Sequence, residues 1–323
     1  MTALFIDRKD ARLSLDGGAL RVQAGAESIS LPLGQIERLI VRGAATLETG
    51  LLSRLWAQGS GVLLLSGRRG EPTARFHGQP ANDVRRRMAQ TLIACDPAEA
   101  LAWARPAVAA KLAAQVRALE NMAQARGAMR RDVIGFRRMA AELGPRIAAA
   151  SSLDQLRGCE GGAARVYWSA LVGAFAPALG FRGRNRRPPR DPVNAALSLA
   201  YTIATFEAGK QAQRHGLDPM IGFLHAPSFG RESLACDLVE PLRPRVDEWV
   251  EALFRERLLR REHFSLADGA CLLGKAGRAA LYDSLGRRLP IWARWLGRSA
   301  RLVARGLDAR AVPDFGPPGD AGE

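Results

Sequence analysis

Lysine is scarce: only positions 9, 111, 210 and 275 carry it among 47 basic residues. The positive charge therefore rests almost wholly on arginine, whose planar guanidinium can grip an anion with two parallel hydrogen bonds. Ala and Gly are abundant as well, as a GC-rich coding bias produces, so the sign of the charge says more than the choice of Arg over Lys. Cysteine is also sparse, and Cys95, Cys159, Cys236 and Cys271 show no CxxC spacing. No charged stretch followed by an apolar core opens the chain, so reduced thiols and a cytoplasmic protein are expected. Long apolar runs are missing too. The most apolar helical stretch, Pro192 to Phe206, is bounded by Asp191 and Glu207 and contains Asn194, which excludes a membrane span and predicts a buried helix. There is no internal repeat.

What is present is a large charge excess on an otherwise ordinary folded composition. The net charge is +15, from 47 Lys and Arg against 32 Asp and Glu, with 47% hydrophobic and 24% charged residues. Such an excess predicts an anionic partner, nucleic acid or an acidic surface. A chain of 323 residues is long for one core and predicts two domains.

From Ala3 to His77 the pattern is mostly of period two, with strands expected around Leu4–Ile6, Leu13–Leu15, Leu20–Val22, Ser28–Leu33, Ile36–Val41, Val62–Leu65 and Thr73–Phe76. Asp16-Gly17-Gly18 supplies a hairpin turn, and Thr49 to Gln58 reads as one short helix. The expected fold is α+β and multidomain: a small β-sandwich-like domain over 1–77 that could pack on its twin, a linker over 78–85 and a larger all-α domain over 86–304. Helices are expected over Asp83–Cys95, Pro97–Arg126, Arg130–Leu143, Leu153–Phe175, Pro192–His215, Glu232–Leu242 and Arg245–Arg261, with one or two more before Ala304. The tail, 305–323, with Gly-Pro-Pro-Gly-Asp, is expected to be disordered.

Polar groups in apolar surroundings point to chemistry. On the helix after Ser151-Ser152, the residues Leu153, Leu156, Glu160, Ala164, Tyr167 and Leu171 follow at three- and four-residue steps, which puts Glu160 in the buried stripe. A carboxylate there needs a cation or a salt bridge, with Arg157 and Arg165 as candidate partners. A Gly- and Pro-rich loop, Gly216 to Pro227, sets His225, either as a site residue or as a hydrogen-bonded packing group. Asp237 and Glu240, at i and i+3, share one face of the next helix and can converge with them. Oxygen donors with one imidazole and no thiolate suit Mg²⁺ or Mn²⁺ and phosphoryl transfer. Cys159 and Cys236 precede two of these groups but point about 100° away on a helix, so they read as small core residues.

Phe181 to Arg190 is the densest basic segment, with Arg182, Arg184, Arg186, Arg187 and Arg190, and it is either a solvated loop or a phosphate contact. It leads into Asp191-Pro192, a helix cap with proline at the first helical position. On that helix Asn194, Ser198, Tyr201 and Thr205 cut a polar seam, explained by interhelical hydrogen bonds or by a substrate groove.

Three motifs in this region together resemble the CRISPR-associated adaptation endonuclease and integrase family, the first of the Cas proteins. They are Leu156-Arg157-Gly158-Cys159-Glu160-Gly161 with Ala163, Ala164 and Tyr167; Arg187-Pro188-Pro189-Arg190-Asp191-Pro192-Val193-Asn194 with Leu197, Ser198 and Tyr201; and Gly216-Leu217-Asp218-Pro219 through Gly222-Phe223-Leu224-His225 to Asp237-Leu238-Val239-Glu240-Pro241-Leu242-Arg243-Pro244. The resemblance implies a divalent ion, Mg²⁺ or Mn²⁺, held by Glu160, His225 and Asp237. Beside that set, Glu240 is a candidate for orienting a ligand, and Arg184, Arg186, Arg187, Arg190, Tyr201, Arg231 and Arg243 are candidates for DNA contacts. It also implies a β-domain homodimer, a small ferredoxin-like Cas partner, and the joining of short duplex DNA to CRISPR repeat ends by transesterification. The alternatives are a catalytically silent DNA-binding scaffold and a structure-specific DNA or RNA nuclease without integrase activity.

Overall fold

The computed structural model describes residues 2–67, 70–185, 188–310 and 312. Arg186 and Arg187, and the end of the expected tail from 313 on, lie outside the described residues.

Residues 2–76 hold the strands β1 (Thr2–Ile6), β2 (Ala11–Asp16), β3 (Ala19–Ala24), β4 (Glu27–Pro32), β5 (Ile36–Arg42) and β6 (Ala45–Leu47), helix α1 (Thr49–Ala57), and strands β7 (Gly61–Ser66) and β8 (Glu71–Phe76). They form two four-stranded sheets, in the orders β1-β5-β7-β8 and β4-β3-β2-β6. Strands β2 and β3 pair antiparallel across Gly17-Gly18, where Gly17 takes φ 59°, as the two-residue turn requires. Strand β6 was not expected, because three residues are too few to show an alternation. Both sheets and α1 contribute to one core: Leu13 and Leu20 from one sheet, Leu39 and Val62 from the other, Leu51 and Leu55 from the helix.

Beyond residue 76 helices take over: α2 (Val84–Cys95), α3 (Pro97–Arg126), α4 (Arg130–Ala149), α5 (Leu153–Val172), α6 (Pro192–Arg214), α7 (Ser233–Val239) and α8 (Arg243–Arg255). Their ends follow local chemistry. The Asp96 carboxylate caps α3 by accepting from the Ala98 and Glu99 backbone N–H groups, and Gly127 stops it in the left-handed region at φ 64°. Helix α6 is buried on nearly every side and forms the axis of this region. Among the described residues no helix is long and apolar enough to cross a membrane.

The chain is thus mixed, strand-rich at its start and helical after it, but the second region is not all-α. Strands β9 (Phe264–Ala267) and β10 (Ala270–Leu273) form an antiparallel hairpin before the last helix, α9 (Lys275–Asp308). Its turn is Asp268-Gly269, both in the left-handed region at φ 51° and 70°, which suits the twist of a two-residue hairpin. Helix α9 also runs beyond the expected boundary at 304, because Leu307 is buried in the main core.

One buried ion pair locks the two regions together. Arg38 of β5 donates from Nε (2.5 Å) and Nη2 (3.0 Å) to the carboxylate of Glu207 on α6, and both side chains are almost wholly enclosed. Gln211 donates to the same carboxylate at 2.7 Å, and the Lys210 ammonium donates to the Glu37 carbonyl at 2.8 Å.

Candidate functional site

The site is built where α3, α5, the loop before α7, and the turn after it meet. Ser152 caps α5 by accepting from the Gln155 N–H at 3.2 Å. Leu156, Ala163, Tyr167 and Leu171 then face the core. Glu160 lies at the margin of that stripe, with 27% of its side chain exposed, and its partner is neither Arg157 nor Arg165. It is Lys111 of α3, whose ammonium donates to Glu160 Oε1 and, at 2.5 Å, to Glu240 Oε2. Arg157 instead binds the Leu224 carbonyl through Nε and Nη2, at 3.0 and 2.8 Å, and so ties α5 to the His225 loop.

That loop is organised by Asp237. Its Oδ2 accepts from the N–H groups of Phe223 (2.7 Å) and Leu224 (3.0 Å), and its Oδ1 accepts from the His225 N–H (3.1 Å) and faces His225 Nδ1 at 2.6 Å. A Cβ on Gly222 would stand 2.8 Å from Asp237 Oδ2 and from the His225 carbonyl oxygen, so only glycine lets the loop close this tightly. Gln90, fully buried on α2, holds the other end by donating to the Asp218 and Ile221 carbonyls and accepting from the Asp218 N–H. Both oxygens of Asp237 are engaged by the loop, and through Oδ1 it orients the His225 imidazole.

Glu240 follows α7 in a single tight turn, Glu240–Leu242, and is nearly enclosed. Burial alone would raise its pKa, but Arg243 (Nε at 2.9 Å from Oε1) and then Lys111 outweigh burial and bring its carboxyl down to about 2. His225 is near enough to add to this lowering. Two carboxylates from different elements thus converge on one cationic atom beside an oriented imidazole. Among the described residues no three His, Cys, Asp or Glu side chains already stand grouped as a metal cage. The donor chemistry nevertheless fits a hard cation, since Glu160 and Glu240 already share one in the form of the Lys111 ammonium.

The DNA-contact candidates divide by direction. Arg184 turns inward: Nη1 donates to Asn194 Oδ1 at 2.8 Å, Nη2 to Ser198 Oγ at 3.1 Å, and its guanidinium lies 5.4 Å from the Tyr201 ring centre. Arg243 is also inside, its guanidinium 4.7 Å from the centre of the same Tyr201 ring and bound to Glu240. At Asn194, Ser198 and Tyr201 the polar seam of α6 is therefore met by the protein itself, with Asn194 also binding the Gly183 carbonyl and Asp191. Arg190 and Arg231 remain exposed, while Arg186 and Arg187 lie outside the described residues.

Tyr201 is buried and its hydroxyl donates to Asp247, which Tyr167 also reaches at 2.9 Å. Burial, only partly offset by these two hydroxyls, pushes the Asp247 carboxyl up to about 6. Because the folded pKa lies above the unfolded one, the native state holds the extra proton between roughly pH 4 and 6. Stability should fall as pH rises through that window. We expect Asp247→Asn to remove this slope, so that the variant gains on the wild type by on the order of 2–3 kcal/mol between pH 4 and 7.5. Urea midpoints at the two pH values measure it, and parallel pH profiles would contradict the assignment.

Sequence reading did not single out Lys111 or Gln90. Lys111 alone left a signal, as one of four lysines and the only one that falls within α3.

Comparison with known proteins agrees with this picture. The family model described as CRISPR associated protein Cas1 matches residues 4–286. The CRISPR-associated endonuclease Cas1 1 of Thermodesulfovibrio yellowstonii is 33% identical over 315 residues, covering 95% of this chain and 94% of that protein. A CAS1 protein from Thermotoga maritima has the same fold, with a TM-score of 0.84 at 20% identity over 98% of this chain and 99% of that one. A casposase bound to integration product is as close in fold, at a TM-score of 0.85 and 21% identity, covering 98% and 94% of the two chains. The chain belongs to the Cas1 family of CRISPR-associated endonucleases.

Proposed function

We infer that the protein is a divalent-metal-dependent DNA integrase and endonuclease that joins the 3′-hydroxyls of short duplex DNA to CRISPR repeat ends. The observation that carries this reading is the convergence of Glu160 and Glu240 on one cation beside His225. The casposase of the same fold, solved with its integration product, supports the joining chemistry.

In this reading Glu160, Glu240 and His225 hold the ion, Mg²⁺ or Mn²⁺. When bound, the ion supplies Lewis acidity to a phosphodiester and favours deprotonation of an attacking hydroxyl. Asp237 accepts the proton of His225 Nδ1, which leaves Nε2 as the free donor atom and fixes the ring plane. Arg243 holds Glu240 ionised from inside, and Arg157 sets the distance between α5 and the His225 loop. Arg190 and Arg231, exposed on the loops flanking the site, grip phosphates without reading sequence. The charge of +15 serves the same duplex. The strand-rich region, in which two sheets share a core, forms a sandwich-like homodimer contact, and a small ferredoxin-like Cas protein joins the dimers.

The test is covalent transfer. Incubated with labelled duplex DNA, a supercoiled repeat plasmid and Mn²⁺, with and without the partner, the protein should yield plasmid carrying the label. No transfer under any of these conditions would overturn the reading. Asp237→Asn should lower the joining rate 10- to 100-fold and raise the Mn²⁺ concentration needed, because the amide cannot accept from both the loop N–H groups and His225. DNA retention at low salt should be unchanged.

A further inference from the structure

We propose that Lys111 is a built-in counter-cation that occupies the carboxylate pair in the metal-free protein and must leave it for a divalent ion to bind. The inference rests on the metal-site reading above and goes beyond it. The Lys111 side chain is 11% exposed and comes from the middle of α3, far in sequence from both partners. Its ammonium donates to Glu160 and to Glu240, the latter 8% exposed, and so answers the charge of both. Two carboxylates this close repel each other and are costly to bury uncompensated. Lysine suits the task better than arginine, since a compact ammonium on a flexible four-carbon stem can swing away and a planar guanidinium fork cannot do so as freely.

A divalent ion bridging Glu160 Oε1 and Glu240 Oε2 would take the very position that the Lys111 ammonium holds between them, so the two exclude each other there. The ion therefore binds only the fraction of molecules in which Lys111 has swung out, and its apparent affinity is weakened by that fraction. Lys111 is thus a positioning residue that sets metal affinity.

Two measurements decide it. Mn²⁺ binding, followed by electron paramagnetic resonance and defined as the binding that Glu160→Gln abolishes, should tighten on the order of tenfold in Lys111→Met and stay near wild type in Lys111→Arg. In the wild-type protein, amine acylation mapped by mass spectrometry should show Lys111 shielded without metal and several-fold more reactive with Mn²⁺. The other three lysines serve as controls: Lys9 and Lys275 are exposed, and Lys210 is enclosed and bound to the Glu37 carbonyl. Affinity that is unchanged or weaker in Lys111→Met overturns the proposal, as does Mn²⁺ binding that leaves Lys111 reactivity unaltered. If Lys111→Met does not fold, the wild-type acylation pattern decides alone. A wild-type protein with no Glu160-dependent Mn²⁺ binding would overturn the metal site itself, a result distinct from the other two.

Discussion

Glu160→Gln should abolish joining, by on the order of a thousandfold or more, while DNA binding persists. The substitution keeps the shape of the side chain and removes its charge. With the charge goes one of two carboxylates that converge on a single cation. Several kcal/mol of transition-state stabilisation are at stake where a metal ion offsets developing phosphoryl charge, and each 1.36 kcal/mol is about tenfold in rate. Binding of duplex DNA depends on the spread-out arginine charge and should change little. Gel retardation and the joining assay, run on the same preparation, separate the two effects. Joining within a few-fold of wild type would show that Glu160 merely closes a salt bridge to Lys111 and holds no catalytic ion.

Glu207→Ala should cost about 3–5 kcal/mol of stability, the range found when one partner of a buried ion pair is removed. The truncation strands the Arg38 guanidinium, with only 2% of its side chain exposed, between β5 and α6, keeping Glu37 as its remaining anion. Burial alone would raise the Glu207 carboxyl, yet Arg38 outweighs burial and holds it below the usual range, so the pair is ionised in the folded protein. Removing both charges together, as Arg38→Met with Glu207→Leu, should cost much less, because no charge is then left unpaired. Urea unfolding of the two single variants and the double variant forms the cycle that tests this. Equal losses in the single and double variants would show that packing, not the ion pair, joins the strand-rich region to α6.

Much of the fold was legible because its signals are local. Helix α3 has the bounds Pro97–Arg126 that its cap, its first-turn proline and its terminal glycine predict. The β9–β10 hairpin was missed although Asp268-Gly269 stood in the sequence, because two four-residue strands offer little alternation against a long helical background. The extension of α4 past Gly144-Pro145 to Ala149 was missed for a different reason. Gly-Pro ordinarily ends a helix, and here Leu143 and Ile147 pack into the main core and carry it through.

The sequence by itself determined the order of the elements apart from β6 and the β9–β10 hairpin, the family, and the residue types from which a hard-cation site can be made. Each of these depends on neighbours a few positions apart or on motifs read in order. Tertiary structure alone decided the partners. Asp237 and Glu240, three residues apart, look interchangeable on a helix, but the turn that ends α7 sends one to the His225 loop and the other to Lys111. Arg184 and Arg243 look like phosphate grips and are consumed by Tyr201, Asn194 and Glu240 inside the protein. A side chain's charge is written in the sequence, whereas the charge it faces depends on which distant segments pack against it.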